Sequence, residues 1–171
     1  MNLMEALRGR RSIRKYTPGP VSKDDISSLI VAAETAPSAG NLRARRYLVV
    51  TRPEMIRALA LAAYDQIHVR TAPALIVVCA DADRSSSRYG DRGSLYSIQD
   101  ATAAATCLLL AAFDKGFGTC WTGAFDDDLV REALDLEEHS LPVALISLGH
   151  PAERPSAPPL RDMSEMLSWI E

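Results

Sequence analysis

The stretch Asp100–Phe113, DATAAATCLLLAAF, constrains this chain more than any other. Its alanines and leucines favour helix, and only Asp100 carries a charge. A helix that is apolar nearly all the way round has to be buried on nearly all sides. A single domain of 171 residues rarely encloses one helix completely. Part of this helix is therefore expected to pack on a partner subunit, with Ala103, Ala104 and Ala105 allowing close approach. The small-and-apolar run Ala101–Phe113 is 13 residues long, short of the roughly 20 that span a bilayer. The segment Met1–Arg14 has no apolar core that would read as a signal peptide. A soluble, cytoplasmic protein without a membrane partner is the expectation.

With 47% hydrophobic residues and a net charge of −3, the chain is expected to fold as one domain over residues 1–171. That length excludes separate cofactor and substrate domains, so a site has to use this domain alone or two copies of it. Cys79, Cys107 and Cys120 stand far apart among apolar neighbours, which suits buried thiols. With three histidines in the chain no metal centre is expected. Of the 19 basic residues, 16 are arginine, and Arg8, Arg10, Arg11, Arg14 and Lys15 fall within eight positions. A pI near 5.6 speaks against a nucleic-acid partner. A small anion such as one phosphate group is the better match. Arg43, Arg45 and Arg46 form a second clump, and Arg45 and Arg46 read as a salt-bridged, surface flank of a strand.

Along the chain, Met1–Leu7 reads as a short helix and Arg10–Tyr16 as extended, ended by Thr17-Pro18-Gly19-Pro20. Ser22 with Asp25 reads as a capping box, followed by Ile26, Leu29, Ile30 and Ala33 at helical spacing. Tyr47–Val50 is an expected strand, and Thr51 with Glu54 a second capping box for a helix to about Ala63. Ala74–Ala80 is an apolar run of the kind buried on both faces of a sheet. Asp83–Ser94, with Arg84, Arg88 and Arg92, reads as a polar loop, a mobile lid or a reach toward another subunit. Gly116 suits a left-handed helix end, Phe117–Phe125 a turn, Asp126 a cap for Asp127–Leu134, and Val143–Leu148 a strand. Four prolines between Pro151 and Pro159 cannot build a core, so the tail from about 150 to 171 is expected to run over a partner's surface, with a short helix near Ser164–Trp169.

No residue carries the local signature of an activated nucleophile, and no phosphate-binding glycine motif follows a strand. Chemistry would then come from a bound cofactor. Four blocks carry a resemblance. Arg10-Arg11-Ser12-Ile13-Arg14-Lys15-Tyr16, Ala36-Pro37-Ser38-Ala39-Gly40-Asn41, Gly116 through Phe125, and Leu148-Gly149-His150-Pro151-Ala152-Glu153-Arg154-Pro155 resemble, in order, blocks of the nitroreductase family. They span residues 10 to 155, most of the chain.

The resemblance implies an α+β fold, a central mixed sheet flanked by helices, and an intertwined homodimer with FMN at the subunit interface. It implies that Arg10, Arg11 and Ser12 hold the phosphate and ribityl chain, since guanidinium forks match phosphate oxygens. Arg14 would sit near N1 and O2 of the flavin ring, where reduction places negative charge. Pro37, Ser38 and Asn41 resemble a loop through which the second subunit reaches the flavin. Thr122 and Gly123 match positions whose amides reach N5 and O4. Arg161 lies where the family supplies a C-terminal phosphate ligand, with Arg154 as its alternative. Gln66 or His68 are candidates for one further contact, and Trp121 is either beside the flavin or a core residue. No catalytic side chain is implied. The implied activity is ping-pong transfer from NADH or NADPH through FMN to a nitro compound, quinone or similar small acceptor. A flavin carrier or sensor without turnover, or a member with a dehalogenase, flavin-fragmenting or enoate reductase activity, are the alternatives.

Overall fold

The computed structural model describes residues 2–171. Four strands form one sheet in the order β1 (Arg45–Val50), β2 (Ala74–Asp81), β4 (Ser140–Gly149), β3 (Gly118–Thr122). All of these pairs are antiparallel. Among the described residues the parallel element of the mixed sheet is a single isolated bridge, Ser12 to Thr119 at the β3 edge. The apolar run at Ala74–Ala80 lies at the sheet's centre and is buried on both faces, as its composition implies. One face, through Ala74, Ile76, Val78, Ile146 and Leu148, packs on α2 (Lys23–Ala33) and α6 (Gly93–Asp114). The other, through Leu75, Val77, Cys79 and Leu145, packs on α3 (Pro53–Ala62), α4 (Ile67–Arg70) and α7 (Asp127–Leu134). Register slips between Val78 and Cys79, where Cys79 meets Pro142. Proline has no N–H for the ladder, so the strand accommodates it at a bulge.

The central helix differs from its sequence reading in length. It starts at Gly93, not Asp100, so Asp100 is an interior residue with 4% exposure. Its carboxylate accepts the amides of Ala39 at 2.9 Å and Ala44 at 3.4 Å. Ala101, Ala104, Ala105, Leu108, Leu109 and Ala112 enter the core, while a stripe of Leu95, Ile98, Thr102 and Thr106 stays exposed. By length and composition the helical segment Ala82–Asp114 could cross a membrane, but here it is the core helix of the domain.

Asp83–Ser94 is not a loop. It forms α5 (Ala82–Tyr89), a 3₁₀ turn and the start of α6. Its polarity hides the helix because only Ser85 is buried, yet the Asp81 side chain caps it by accepting the amide of Arg84 at 3.0 Å. Gly93 lets α5 and α6 touch, since a Cβ there would collide with the backbone of Ser86. Phe117–Phe125 likewise contains strand β3 in place of a plain turn. Gly118 can pair at this crowded edge because a Cβ would lie 2.8 Å from Ile13. Thr51 caps nothing, for α3 begins with Pro53 after Arg52, without a side-chain cap. The caps at Ser22 and Asp126 form, and Gly116 takes its left-handed conformation at φ 81°. The first helix, α1, is Leu3–Gly9, with Met1 outside the described residues. The tail ends in a single 3₁₀ turn at Met163–Glu165, not a helix to Trp169.

Candidate functional site

The N-terminal arginines are held at the β3 edge by short-range geometry. Asn2 and Glu5 close a capping box at the start of α1. The chain leaves α1 in extended form, Ser12 bridges Thr119, and the amide of Ile13 donates to the Thr119 carbonyl at 2.8 Å. Tyr16 then bridges Pro151, and the Ala152 amide donates to Lys15 at 2.9 Å, so the exit from β4 is stitched to the same segment. Glu153 completes this seam by accepting the Arg14 amide at 2.6 Å.

Between this segment and the tail lies a cavity of about 820 Å³. Arg8, Arg10, Arg11, Ser12 and Arg14 form one wall, and Pro155, Ser156, Ala157, Pro158 and Leu160 the other. Its size falls in the range of small-molecule sites. Four arginines line it, and no acidic residue does among the described residues. No hydrogen bond or ion pair to a described residue engages the guanidinium of Arg10 or Arg14. Such a set of cations is complementary to a bound anion with several oxygens. Arg11 is partly committed elsewhere, since its Nη1 donates to the carbonyls of Arg8 at 2.8 Å and Arg10 at 2.7 Å, closing the end of α1. Arg161 is outside this wall and donates to Glu165 at 3.2 and 3.1 Å. Arg154 lines a neighbouring cavity of about 410 Å³ with Arg11 and Glu153.

The other end of the site is built by α4 and the end of β3. His68 is 7% exposed, and its Nε2 lies 2.9 Å from the Thr122 hydroxyl. The Gln66 amide donates to the carbonyls of Ala63 at 3.0 Å and Ala124 at 3.1 Å, fastening α4 to the loop after β3. Burial, and secondarily the Arg14 charge, hold the His68 imidazole below its usual value. Burial pushes the Cys120 thiol up, against the pull of Arg14, Ser12 and Arg10. Burial also pushes up the Tyr16 phenol, which donates to Ile13 and shares a 2.7 Å hydrogen bond with Ser147. Gly123 is exposed beside Trp121, whose indole Nε1 a Cβ would approach to only 3.4 Å, leaving the backbone open on that side. Trp121 packs against the core cluster of the α2 and α6 face.

Pro37, Ser38 and Asn41 belong to a second group. Asn41 adopts the left-handed region at φ 56°, which asparagine tolerates, and its side chain is exposed. Ser38 accepts the Arg43 amide at 3.0 Å. This loop leads into β1, on the sheet edge opposite β3. From β1 to the Ser12 segment is four strand spacings, roughly 19 Å. Along α6 the loop is tied at Asp100, whereas α1 meets the far end, where Gly9 faces Phe113. One chain therefore keeps the two groups apart.

The residue that shapes this second group is Arg45, which is not on the surface. Its side chain has 0% exposure and pairs with Glu34 at 2.8 Å. It also donates to the carbonyls of Ala36 at 3.1 Å, Asp100 at 3.2 Å, Pro37 at 3.3 Å and Glu34 at 3.4 Å. Arg46 is the exposed neighbour, 3.2 Å from Glu137. On Glu34 burial alone would raise the carboxyl, but hydrogen bonds from Arg45 and Tyr47 outweigh it and hold the group below its usual value of 4.5. The pair's stabilisation is thus complete above that pH and is lost as pH falls through the lower folded value. Acid unfolding of Glu34→Gln, followed by circular dichroism, is expected to show a shallower loss of stability across that window than the parent chain. An unchanged curve would show that the pair contributes nothing to the pH dependence.

Sequence reasoning left His68 unassigned, gave no site role to Arg8, Glu153 or Asp100, and read Arg45 as a salt-bridged surface residue, of which the ion pair holds and the exposure does not. Arg8 stood in the arginine clump and Glu153 in the fourth block, but the partners that give these residues their roles are distant in the chain.

Against known proteins the geometry has clear counterparts. The Nitroreductase family model matches residues 7–70 and 61–150. A Thermus thermophilus protein named NADH dehydrogenase is 34% identical over 174 residues, covering 84% of this chain and 84% of that one. The NfrA1 nitroreductase of B. subtilis superimposes with a TM-score of 0.91 at 27% identity, over 98% of this chain and 73% of the other. An NADPH:FMN oxidoreductase from Vibrio harveyi, solved with NAD+, gives a TM-score of 0.89 at 28% identity, over 98% and 76%. The arginine segment, the loop at Pro37 and the β3 turn thus sit in one shared scaffold, and the chain belongs to the nitroreductase family.

Proposed function

We propose that this chain is an NAD(P)H-dependent flavin oxidoreductase that holds FMN beside its N-terminal arginines and reduces a nitro compound, quinone or similar small molecule. The observation that carries this reading is the cavity lined by four arginines and, among the described residues, by no acid. FMN held there would supply the transfer of hydride and electrons between the nicotinamide and the acceptor. The chain's own residues bind and bias it. Arg10 and Arg11 supply forked donors to the phosphate, and Ser12 a hydroxyl to the ribityl chain. Arg14, whose guanidinium is unengaged and whose amide is locked by Glu153, places a fixed cation against charge that develops on reduction. Gly123, exposed and without a side chain, offers its backbone amide, and the buried Thr122 beside it ends β3. Arg161 can join the phosphate cheaply, because its exposed pair with Glu165 is worth only about 0.3–0.5 kcal/mol.

A second copy completes the site in this reading. Pro37, Ser38 and Asn41 reach a flavin across the interface because their own chain holds them about 19 Å of sheet away. The uncovered α6 stripe and the exposed tail residues Leu160, Met163, Met166, Leu167, Trp169 and Ile170 give that copy apolar surface to bury.

The test uses purified protein and added FMN. Expected are a stoichiometric flavin absorption band, a mass in solution of twice 18.6 kDa, and steady oxidation of NADH or NADPH with menadione or a nitroaromatic. A yellow protein without turnover would favour a carrier or sensor. Absence of the flavin band would remove the reading altogether.

A further inference from the structure

We propose that His68 takes up the proton that balances flavin reduction in this protein, an inference that rests on the FMN reading above. The imidazole is fixed in place but not chemically committed. Nε2 contacts the Thr122 hydroxyl at 2.9 Å, and Nδ1 has no partner among the described residues. A hydroxyl can donate to a neutral imidazole nitrogen or accept from a protonated one. His68 can therefore change protonation without losing its contact to the end of β3. Gln66, bonded to Ala63 and Ala124, keeps α4 against that strand through the change.

The surroundings make the proton affinity depend on the flavin. Arg14 is the charge that acts on His68, and it disfavours a second cation. The other titratable groups on the converging elements do not offset it. Tyr16 and Cys120 are held in their neutral forms by burial. Glu153 accepts the Arg14 amide at 2.6 Å and acts on Tyr16 and Cys120, whereas the charge that acts on His68 is Arg14; on α4's own flank Arg70 is paired with Asp65 at 3.1 Å. Hydride transfer from the nicotinamide delivers two electrons and one proton, so the flavin gains one net negative charge. That charge offsets Arg14, and the neutral His68 ring then binds one proton from solvent, at Nδ1 when Nε2–H donates to Thr122. Charge and atoms balance with no further reactant. Oxidation by the acceptor reverses the uptake.

The chain has three histidines, so single replacements of His139 and His150 assign the His68 ring resonance by NMR. The FMN-loaded protein is titrated in its oxidised state and again after anaerobic reduction. The proton affinity of His68 is expected to rise at least about tenfold on reduction. Thr122→Val, which removes the hydroxyl, is expected to shrink that rise. Equal midpoints in the two redox states overturn the proposal, and the measurement needs no folded His68 variant. As a second readout, the reduction potential of bound FMN should fall with pH by one more proton per two electrons in the parent protein than in His68→Gln. Equal slopes again overturn it. A chain that binds no FMN shows no flavin band, and that outcome overturns the functional reading and this inference together.

Discussion

Arg45→Met is expected to remove about 3–5 kcal/mol of folding stability. The side chain is wholly buried and serves Glu34 and four backbone carbonyls. Methionine fills comparable volume but donates nothing, so Glu34 loses its ion pair and those carbonyls are left without this donor. Loss on this scale is a large part of the 5–15 kcal/mol typical of a folded domain. Urea denaturation of the variant and parent chain measures it. Arg45→Lys should recover only part, because one ammonium cannot reproduce the planar fork that meets Glu34, Ala36, Pro37 and Asp100 together. A midpoint within experimental error of the parent would mean that the loop does not depend on Arg45. The functional consequence follows from the position of these bonds. They fix Pro37–Asn41, so Arg45→Lys should weaken FMN binding more than its modest loss of stability would suggest if a second copy uses that loop.

Arg14→Ala is expected to weaken FMN binding about 10–100-fold, the range of one charge-assisted contact. It should also lower the reduction potential of the bound flavin, since the fixed positive charge that favours the reduced form is gone. Two measurements check this: a fluorescence titration of FMN into apoprotein, and equilibration with reference dyes. An unchanged potential would place Arg14 away from the flavin ring. Arg11→Ala should behave differently. Its guanidinium already bonds the Arg8 and Arg10 carbonyls, so that variant is expected to lose stability as well as affinity. The contrast separates a residue committed to the ligand from one shared with the fold.

Much of the architecture was legible because it rests on local rules. The apolar run at Ala74–Ala80 could only be a central strand, and the charge-poor run from Asp100 could only be a core helix. Ser22, Asp126 and Gly116 mark helix ends by hydrogen-bonding or conformational properties that act within a few residues. The arginine clump at Arg8–Arg14 pointed to a small anion through charge alone, and four of its arginines line one cavity. Elements whose identity comes from distant neighbours were misread. Helix α5 looks like a loop because its polar residues have solvent on most sides, and it exists through the Asp81 cap and contact with α6 at Gly93. Strand β3 looks like a turn because its glycine answers to Ile13, more than a hundred positions away.

The arginines divide the same way. By itself the sequence determined that this chain gathers cations near its N-terminus and builds one apolar domain, since charge and hydrophobic period are properties of neighbouring residues. Only the tertiary structure decided which cations are left for a ligand. It places Arg10 and Arg14 on the wall of a cavity that no acid lines among the described residues, spends part of Arg11 on a helix end, buries Arg45 under a loop and brings His68 to Thr122. Each outcome depends on which carbonyls, carboxylates and hydroxyls the fold delivers to a given donor, and pairs such as Arg45 with Asp100, or His68 with Thr122, are separated by more than fifty residues.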